Sequence, residues 1–517
     1  MKRKLPVWGF DPQSSSPQYL ENLATGYWFS EVLFASVEME LFSQLEPDGA
    51  TLEHLAASLD VNPSALSRFL NALASVGLIT VYNDRYFNAK ISHDYLVLGK
   101  EHYQGDSILW KKYLQPHWKG LIDCLKSGGR TNYLPQDDSV GISERVKKYI
   151  SAMDCIAKTK GQEILRFFEG LSMKGKLLDI GAGSGAIAAA FLKQYPGLSG
   201  TLFDLPEILD CTKELMREKG FGSEVNYCAG NILETWPVTI DSFDLVILSN
   251  IIHAYSEKEL PHIISTAAGA LKKEGILLIH DFFLEHYSEK AAFSDLNMFI
   301  NTFNGKVFSG AAIQQILQRL GLSNTVLIPL ETDTAMIVAS RDASTIRSLH
   351  VDSVSRLISK TQTMGFSKVC LLKTEDITVA DWVAMKCRYG CDRYGSPGCP
   401  PNSPEPHKTR SILKEYRHAL LLEGQPPTRD FQRQVLQAER EAFVSGFPKA
   451  FSFWAGPCSL CDSCVGDGKC RNIANARPSM EGAGIDVFET ARRAGATLRT
   501  LKNKTDYIKY YGLILLE

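Results

Sequence analysis

The sequence predicts an α/β chain: a doubly wound sheet, preceded by a helical winged-helix region and followed by a smaller, cysteine-rich α+β domain. Three observations carry that reading. Short apolar runs alternate with helical stretches from about 160 to 340, the pattern of a parallel sheet wound with helices. The first hundred residues instead repeat apolar side chains at three- and four-residue spacing. Four of the 12 cysteines (Cys124, Cys155, Cys211, Cys228) are scattered over the first 349 residues, whereas eight fall between Cys370 and Cys470. These shifts divide the chain into residues 1–105, 106–345 and 350–517, with the polar stretch 341–350 as the last boundary.

The 517 residues suffice for two to four domains, each with its own core. With 44% apolar and 22% charged residues the chain has a globular balance, and a net charge of −2 gives no electrostatic pull toward nucleic acid or an acidic membrane. No apolar run approaches the roughly 18 residues that span a bilayer. The basic start, Met1-Lys2-Arg3-Lys4, is followed by Asp11 and Glu21 where a signal peptide needs an apolar stretch. The expectation is a soluble cytoplasmic protein without a membrane partner.

In the N-terminal region Leu23, Tyr27, Ser30, Phe34, Val37 and Leu41 are spaced as one buried helix face. A second helix opens at Asn62-Pro63, an N-cap followed by proline at the first helical position, and runs toward Gly77. Residues 78–82 and 85–87, joined by Asn83-Asp84, predict a short hairpin. Helices plus hairpin make a winged helix. The second helix carries a single basic residue, Arg68, where a groove-reading helix needs a field of Lys and Arg. Its role is therefore packing or dimerisation, with no nucleic-acid partner; a regulator that senses iron or redox state through this region is the outlying alternative.

The middle region predicts strands at 176–180, 200–203, 225–228, 244–249, 275–280 and 335–339. The first runs through Asp179 and Ile180 into Gly181-Ala182-Gly183-Ser184-Gly185 and then a helix. Such a turn lets a ligand lie against backbone N–H groups at a helix start. The spacing is G-x-G-x-G, not the G-x-G-x-x-G of dinucleotide binders. The next strand ends at Asp204, placed to accept hydrogen bonds from two ribose hydroxyls. The third is followed by Gly230-Asn231-Ile232, a polar side chain and an apolar neighbour suited to the edge and face of an adenine.

At these residues the sequence resembles the S-adenosylmethionine (SAM)-dependent O-methyltransferases of the hydroxyindole and caffeic acid type, over about residues 20–340. The resemblance implies a class I methyltransferase sheet of seven strands, a homodimer formed through the winged-helix region, and a SAM pocket at the C-terminal strand edge. It implies cofactor contacts from Asp179, Gly181, Gly183, Asp204, Leu205, Asn231, Ile232 and Ser249. Asn231 stands where members usually carry Asp. His253 would be the general base that takes the acceptor's hydroxyl proton, oriented by Asp281. Ala254 replaces the Asp that usually follows the His, and Val307 stands where a second supporting carboxylate is expected. Met153 and Met298 fall at substrate-contacting positions; adaptable core filling is the competing reading for both.

The last domain predicts strands at 369–373, 419–423, 450–454 and 513–516 and a helix at 428–445. Cys387, Cys391 and Cys399 follow C-x3-C-x7-C spacing, and Cys458, Cys461, Cys464 and Cys470 follow C-x2-C-x2-C-x5-C spacing. Three thiolates at successive two-residue gaps and then a fourth wrap a cubane cluster in ferredoxin-like runs, although those end with a three-residue gap. The prediction is a 4Fe-4S centre, one or two per chain, with zinc as the alternative metal and plain buried thiols as a third possibility. The three-cysteine group needs a ligand from elsewhere, a swapped cysteine or an open iron. Cys370, in a strand-like run, is read as a core thiol. Residues 387–401, 455–470 and 476–487 resemble a family of predicted metal-binding proteins, which implies a metal but no reaction.

The function predicted is SAM-dependent methyl transfer to a small molecule, with an iron-sulfur domain attached. The alternative is an iron-sulfur redox enzyme on a methyltransferase scaffold, using SAM for reductive or rearrangement chemistry with an electron donor as partner.

Overall fold

A computed structural model describes residues 17–131, 139–169, 171–349, 353–424, 429–464, 470–496, 498 and 509–517. The basic N-terminal residues, the expected helix start at 428 and the 465–469 stretch between Cys464 and Cys470 lie outside the described residues. The chain forms two compact units, one over Gly26–Val351, the other over Asp352–Glu517 with Met1–Thr25.

The N-terminal apolar repeat forms not one helix but three: Pro17–Ala24, grouped with the second unit, and Tyr27–Glu38 and Leu41–Gln44 in the first. Phe34, Val37 and Leu41 are buried as predicted. Leu23 and Ser30 are exposed, and Tyr27 and its neighbour Trp28 are 59% and 57% exposed. The one-face expectation therefore fails over the first half of the repeat, where the side chains stay exposed among the described residues. The helix Pro63–Ser75 starts as predicted: the Asn62 side chain accepts the Ala65 N–H at 3.1 Å. Strand β1 (Ala50–Thr51) pairs with β3 (Arg85–Asn88), which forms a hairpin with β2 (Ile79–Tyr82). Asn83 and Asp84 turn that hairpin with φ of 48° and 57°, the double left-handed step that short polar residues tolerate best.

The central sheet contains β4 (Gly175–Ile180), β5 (Leu198–Asp204), β6 (Val225–Ala229), β7 (Phe243–Ser249), β8 (Leu271–Asp281), β9 (Ser323–Asn324), β10 (Ile328–Pro329) and β11 (Ala335–Ser340). Its order is β10-β11-β8-β7-β4-β5-β6, with β9 also on β11. The eighth strand beyond the implied seven comes from the two-residue β9 and β10, which both pair with β11. Pairs β4/β5, β5/β6, β4/β7 and β7/β8 are parallel. Successive side chains alternate between two cores. Leu178, Ile180, Val246, Leu248, Leu277 and Ile279 face one core; Leu177, Leu245, Ile247 and Leu278 face the other. Such burial on both faces gives continuous apolar runs rather than alternation. From β4 the chain winds outward to β5 and β6, then returns to β7 on the other side. This reversal opens a crevice at the carboxyl ends of these strands, where α/β sheets bind ligands.

The second unit holds an antiparallel sheet of β12 (Lys368–Lys373), β13 (His418–Gly424), β14 (Phe451–Trp454) and β15 (Tyr510–Leu515), in the order β12-β13-β15-β14. Helix Arg429–Val444 covers one face through Phe431 and Val435. Met480, Ala483, Ile485 and Val487 close the other. Cys370 lies on β12, packed against that second face.

Candidate functional sites: the sheet crevice and the cysteine groups

The crevice is assembled from strand ends. After β4 the glycine turn is pinned by the Gly181 N–H, which donates to Phe203 O at 2.8 Å. Gly181 has φ of 66°, and a Cβ there would lie 2.6 Å from Ile251 Cδ1, so only glycine fits. Gly183, at φ 55°, has open space where a Cβ would point, with nothing nearer than Gly181 O at 4.0 Å. That openness is a cradle against the backbone.

Asp204, at the end of β5, accepts the Gly183 N–H on one carboxylate oxygen and the Leu205 N–H on the other, both at 2.8 Å. Each oxygen keeps a second lone pair, so the two can still receive two vicinal hydroxyls. Burial pushes its carboxyl up, although the two backbone N–H groups pull it down. Asp179, buried at the end of β4, is pushed up to about 7 by burial and by the nearby Asp204 charge. Its Oδ2 is buried with no hydrogen-bond partner. A partnerless buried acceptor beside a cradle of free backbone suits a ligand that brings donors, which fits the polar half of SAM. After β6, Asn231 Oδ1 accepts the Leu233 N–H at 3.0 Å, and Ile232 is buried. Leu205 is 39% exposed at the crevice end of β5.

The chain after β7 carries His253, in a short 3-10 turn, Ile252–Ala254. Its Nδ1 lies 2.5 Å from Asp281 Oδ1, and its backbone N–H donates to Asp281 Oδ2 at 3.3 Å. Asp281 is fully buried at the end of β8 and also accepts the Phe282 N–H at 2.7 Å. A carboxylate on Nδ1 fixes the tautomer with Nε2 as the acceptor. No carboxylate comes from the 304–307 loop: Val307 is buried, and its N–H donates to Asp295 at 2.7 Å. Gly305 instead packs on the His253 carbonyl, where a Cβ would come within 2.4 Å. The hydroxyl of Ser249 turns to His280, whose ring nitrogens meet Ser249 Oγ and Thr334 Oγ1 at 2.8 Å each. Burial lowers His280 to about 3, so it stays neutral.

Met153 is partly buried on the long helix Ser139–Arg166, and Met298 on helix Ser288–Asn301. Two tyrosines that no sequence motif marks lie within electrostatic reach of Asp204. Burial and the Asp204 charge push the Tyr255 phenol up to about 12, and the same charge reaches Tyr149, which is 37% exposed. Tyr149 lies four residues before Met153, one helical turn, but no motif flags it.

In the second unit Cys387 lies in the last turn of the helix Asp381–Gly390, Cys391 follows that helix, and Cys399 is buried in the next turn. Burial pushes Cys399 up to about 11, with the neighbouring Cys391 and Cys387 adding to it. Cys458 likewise senses Cys461, Cys464 and Cys470. Each sequence group is thus one electrostatic neighbourhood. Gln432, which spacing gave no reason to single out, clamps the start of the second group: its amide donates to Pro457 O at 3.0 Å and accepts the Ser459 N–H at 2.8 Å. The Asn472 N–H donates to Cys470 Sγ at 3.4 Å. No disulfide links the described cysteines. Among the described residues no three His, Cys, Asp or Glu side chains already stand at the spacing of a metal shell. The fit is one of donor chemistry: thiols gathered in turns suit soft or borderline metals.

Comparison with known proteins agrees with this geometry. Residues 21–97 match the O-methyltransferase dimerisation domain and residues 129–323 the O-methyltransferase domain. The chain thus carries the domain pair of the O-methyltransferase family models. Residues 370–516 match a family described as predicted metal-binding protein. The methyltransferase part is 26% identical, over 321 residues, to a 3-hydroxy-5-methyl-1-naphthoate 3-O-methyltransferase of Streptomyces sahachiroi, covering 61% of this chain and 92% of that one. It is also 26% identical over 328 residues to the acetylserotonin O-methyltransferase of Gallus gallus, covering 59% and 92%. The fold matches the crystal structure of human N-acetylserotonin methyltransferase in complex with SAM, with a TM-score of 0.55, 21% identity, and coverage of 65% and 100%. The domain matches and the relatives support SAM-dependent methyl transfer, the dimerisation domain supports a homodimer, and residues 370–516 match predicted metal-binding proteins. No helix among the described residues is long and apolar enough to cross a membrane.

Proposed function

We propose that the methyltransferase unit methylates a hydroxyl on a small aromatic acceptor, with His253 as general base. The observation that carries this is the His253–Asp281 pair, which leaves Nε2 as a proton acceptor on the loop that follows a crevice-forming strand. When bound, SAM supplies an electrophilic methyl group. Gly181, Gly183 and Asp179 hold its polar end, Asp204 its ribose, and Asn231 with Ile232 and Leu205 its adenine; Ser249 holds the β7 end of the crevice through His280. His253 Nε2 takes the acceptor's proton, and Asp281 orients the ring and stabilises the charge it gains. Met153 and Met298 contact the acceptor. Relatives named for a naphthoate and for tetracenomycin polyketide synthesis support an aromatic, polyketide-like acceptor. The exposed Tyr27 and Trp28 are the apolar stripe that a second copy would cover.

In the C-terminal domain the reading is an iron-sulfur centre on Cys458, Cys461, Cys464 and Cys470, with Cys387, Cys391 and Cys399 as a second group. It rests on the spacing and on the thiols' clustering. The test is calorimetry with SAM, formation of S-adenosylhomocysteine with a panel of phenolic acceptors, and iron, sulfide and zinc content after anaerobic purification. A folded protein that binds no SAM would refute the first reading, and zinc without sulfide the second. A reductant requirement for turnover, with no methylated product, would favour redox chemistry on this scaffold.

A further inference from the structure

We propose that Glu481 is the fourth donor of the three-cysteine group, so that Cys387, Cys391, Cys399 and Glu481 form a cluster site separate from the four-cysteine group. The inference rests on the iron-sulfur reading of this domain. A cubane has four irons to ligate, and the C-x3-C-x7-C group supplies three thiolates.

The three cysteines line one cavity of about 410 Å³, and Glu481 lines it with them. The Glu481 carboxylate accepts the Gly456 N–H at 3.0 Å, and no cation pairs with it among the described residues. A partly buried carboxylate without a countercharge is costly unless a proton or a metal ion answers it.

Its placement opposite Cys399 is built by the backbone. The Ser479 N–H donates to Gly398 O at 3.0 Å, and Ser403 Oγ donates to Gly482 O at 2.7 Å. Both glycines are required by close approach. A Cβ on Gly398 would lie 2.8 Å from Arg477 O, and one on Gly482 would lie 2.5 Å from Ser479 Oγ. The turn that carries Cys399 and the segment that carries Glu481 are therefore seated directly on one another. Cys391, exposed at a helix end, is the donor with the most freedom to swing inward.

A carboxylate binds iron less firmly than a thiolate does, which makes this corner the labile one. One-electron oxidation of a [4Fe-4S]2+ core by ferricyanide gives the 3+ state. That state releases Fe2+ from the carboxylate corner and leaves [3Fe-4S]+, so charge and iron balance.

The test uses the full-length protein, reconstituted anaerobically with iron and sulfide, then treated with ferricyanide and followed by electron paramagnetic resonance. Wild type should give a [3Fe-4S]+ signal that Glu481→Cys suppresses and Cys387→Ser abolishes. Glu481→Gln should hold iron at this group about 10-fold or more weakly against a chelator. The inference fails if Glu481→Cys leaves the oxidised signal unchanged and Glu481→Gln retains iron like wild type. It also fails if Cys387→Ser keeps all the iron and sulfide while Cys461→Ser loses it, an outcome that leaves the four-cysteine reading standing. Wild type that takes up no iron overturns both readings together.

Discussion

In the methyltransferase sheet Asp204 is fixed by the N–H groups of Gly183 and Leu205, each at 2.8 Å, and His253 by a buried carboxylate at 2.5 Å. In the C-terminal domain the clustered cysteines sit at a helix end and in turns, and no three donors among the described residues stand at metal-shell spacing. The difference follows from where each site's binding energy originates. An organic cofactor is recognised by many weak hydrogen bonds, which repay their cost only when strands and helix starts hold the partners in place beforehand. A metal centre forms a few strong bonds that can themselves order the chain carrying the ligands.

The largest expected effect falls on chemistry alone. His253→Ala should lower kcat by about 10²–10⁴ while leaving SAM affinity near wild type, measured by steady-state kinetics and calorimetry. A comparable loss of SAM affinity would mean the histidine holds the crevice rather than the proton.

A crossed pair of variants sharpens the comparison next. Asp204→Ala should weaken SAM binding about 10- to 100-fold, the loss of two charge-assisted hydrogen bonds, with iron content unchanged. Cys461→Ser should lose iron and sulfide with SAM affinity unchanged. If either variant moves both readouts, the two sites are coupled.

The third prediction concerns pH. An ordinary aspartate titrates near 3.9, whereas Asp179 in the folded chain titrates at about 7. Between those values the folded chain keeps a proton that the unfolded chain has released, so this group costs stability progressively as pH rises from about 4 to about 7. Asp179→Asn should therefore gain on wild type by about 4 kcal/mol more at pH 8 than at pH 4, read from urea unfolding at both. An equal gain at the two pH values would show that folding does not raise the Asp179 carboxyl.

The smallest effect belongs to a residue remote from both sites. Asn62→Ala removes the cap on Ala65 N–H and should cost about 1 kcal/mol, seen as a shifted urea midpoint with unchanged SAM affinity.

Local signals in the chain were enough for much of this. The hairpin turn at Asn83-Asp84, the cap at Asn62 and the apolar runs that became β4, β5, β7 and β8 are decided by nearest neighbours in sequence, and there the expected and observed bounds differ by a few residues. The N-terminal apolar repeat misled for a complementary reason: periodicity marks a face that wants covering and does not say whether its own unit covers it. Tyr27 and Trp28 share the pattern of Phe34 and Val37 and remain exposed.

The positions of Asp179, Gly181, Asp204, Asn231 and Ser249 were legible because each sits at or just after a strand end, where the motif and the position coincide. Glu481, Gln432, Tyr149 and Tyr255 were not, since each acts on residues far away in the chain. By itself the sequence determined which elements form, which residue types the crevice offers and how the thiols are spaced. Only the tertiary structure decided that Asp281 meets His253, that the Val307 N–H turns to Asp295, and that Glu481 lines one cavity with three cysteines. Those juxtapositions depend on strand order and on close approaches at Gly398 and Gly482, and neither leaves a trace in local spacing.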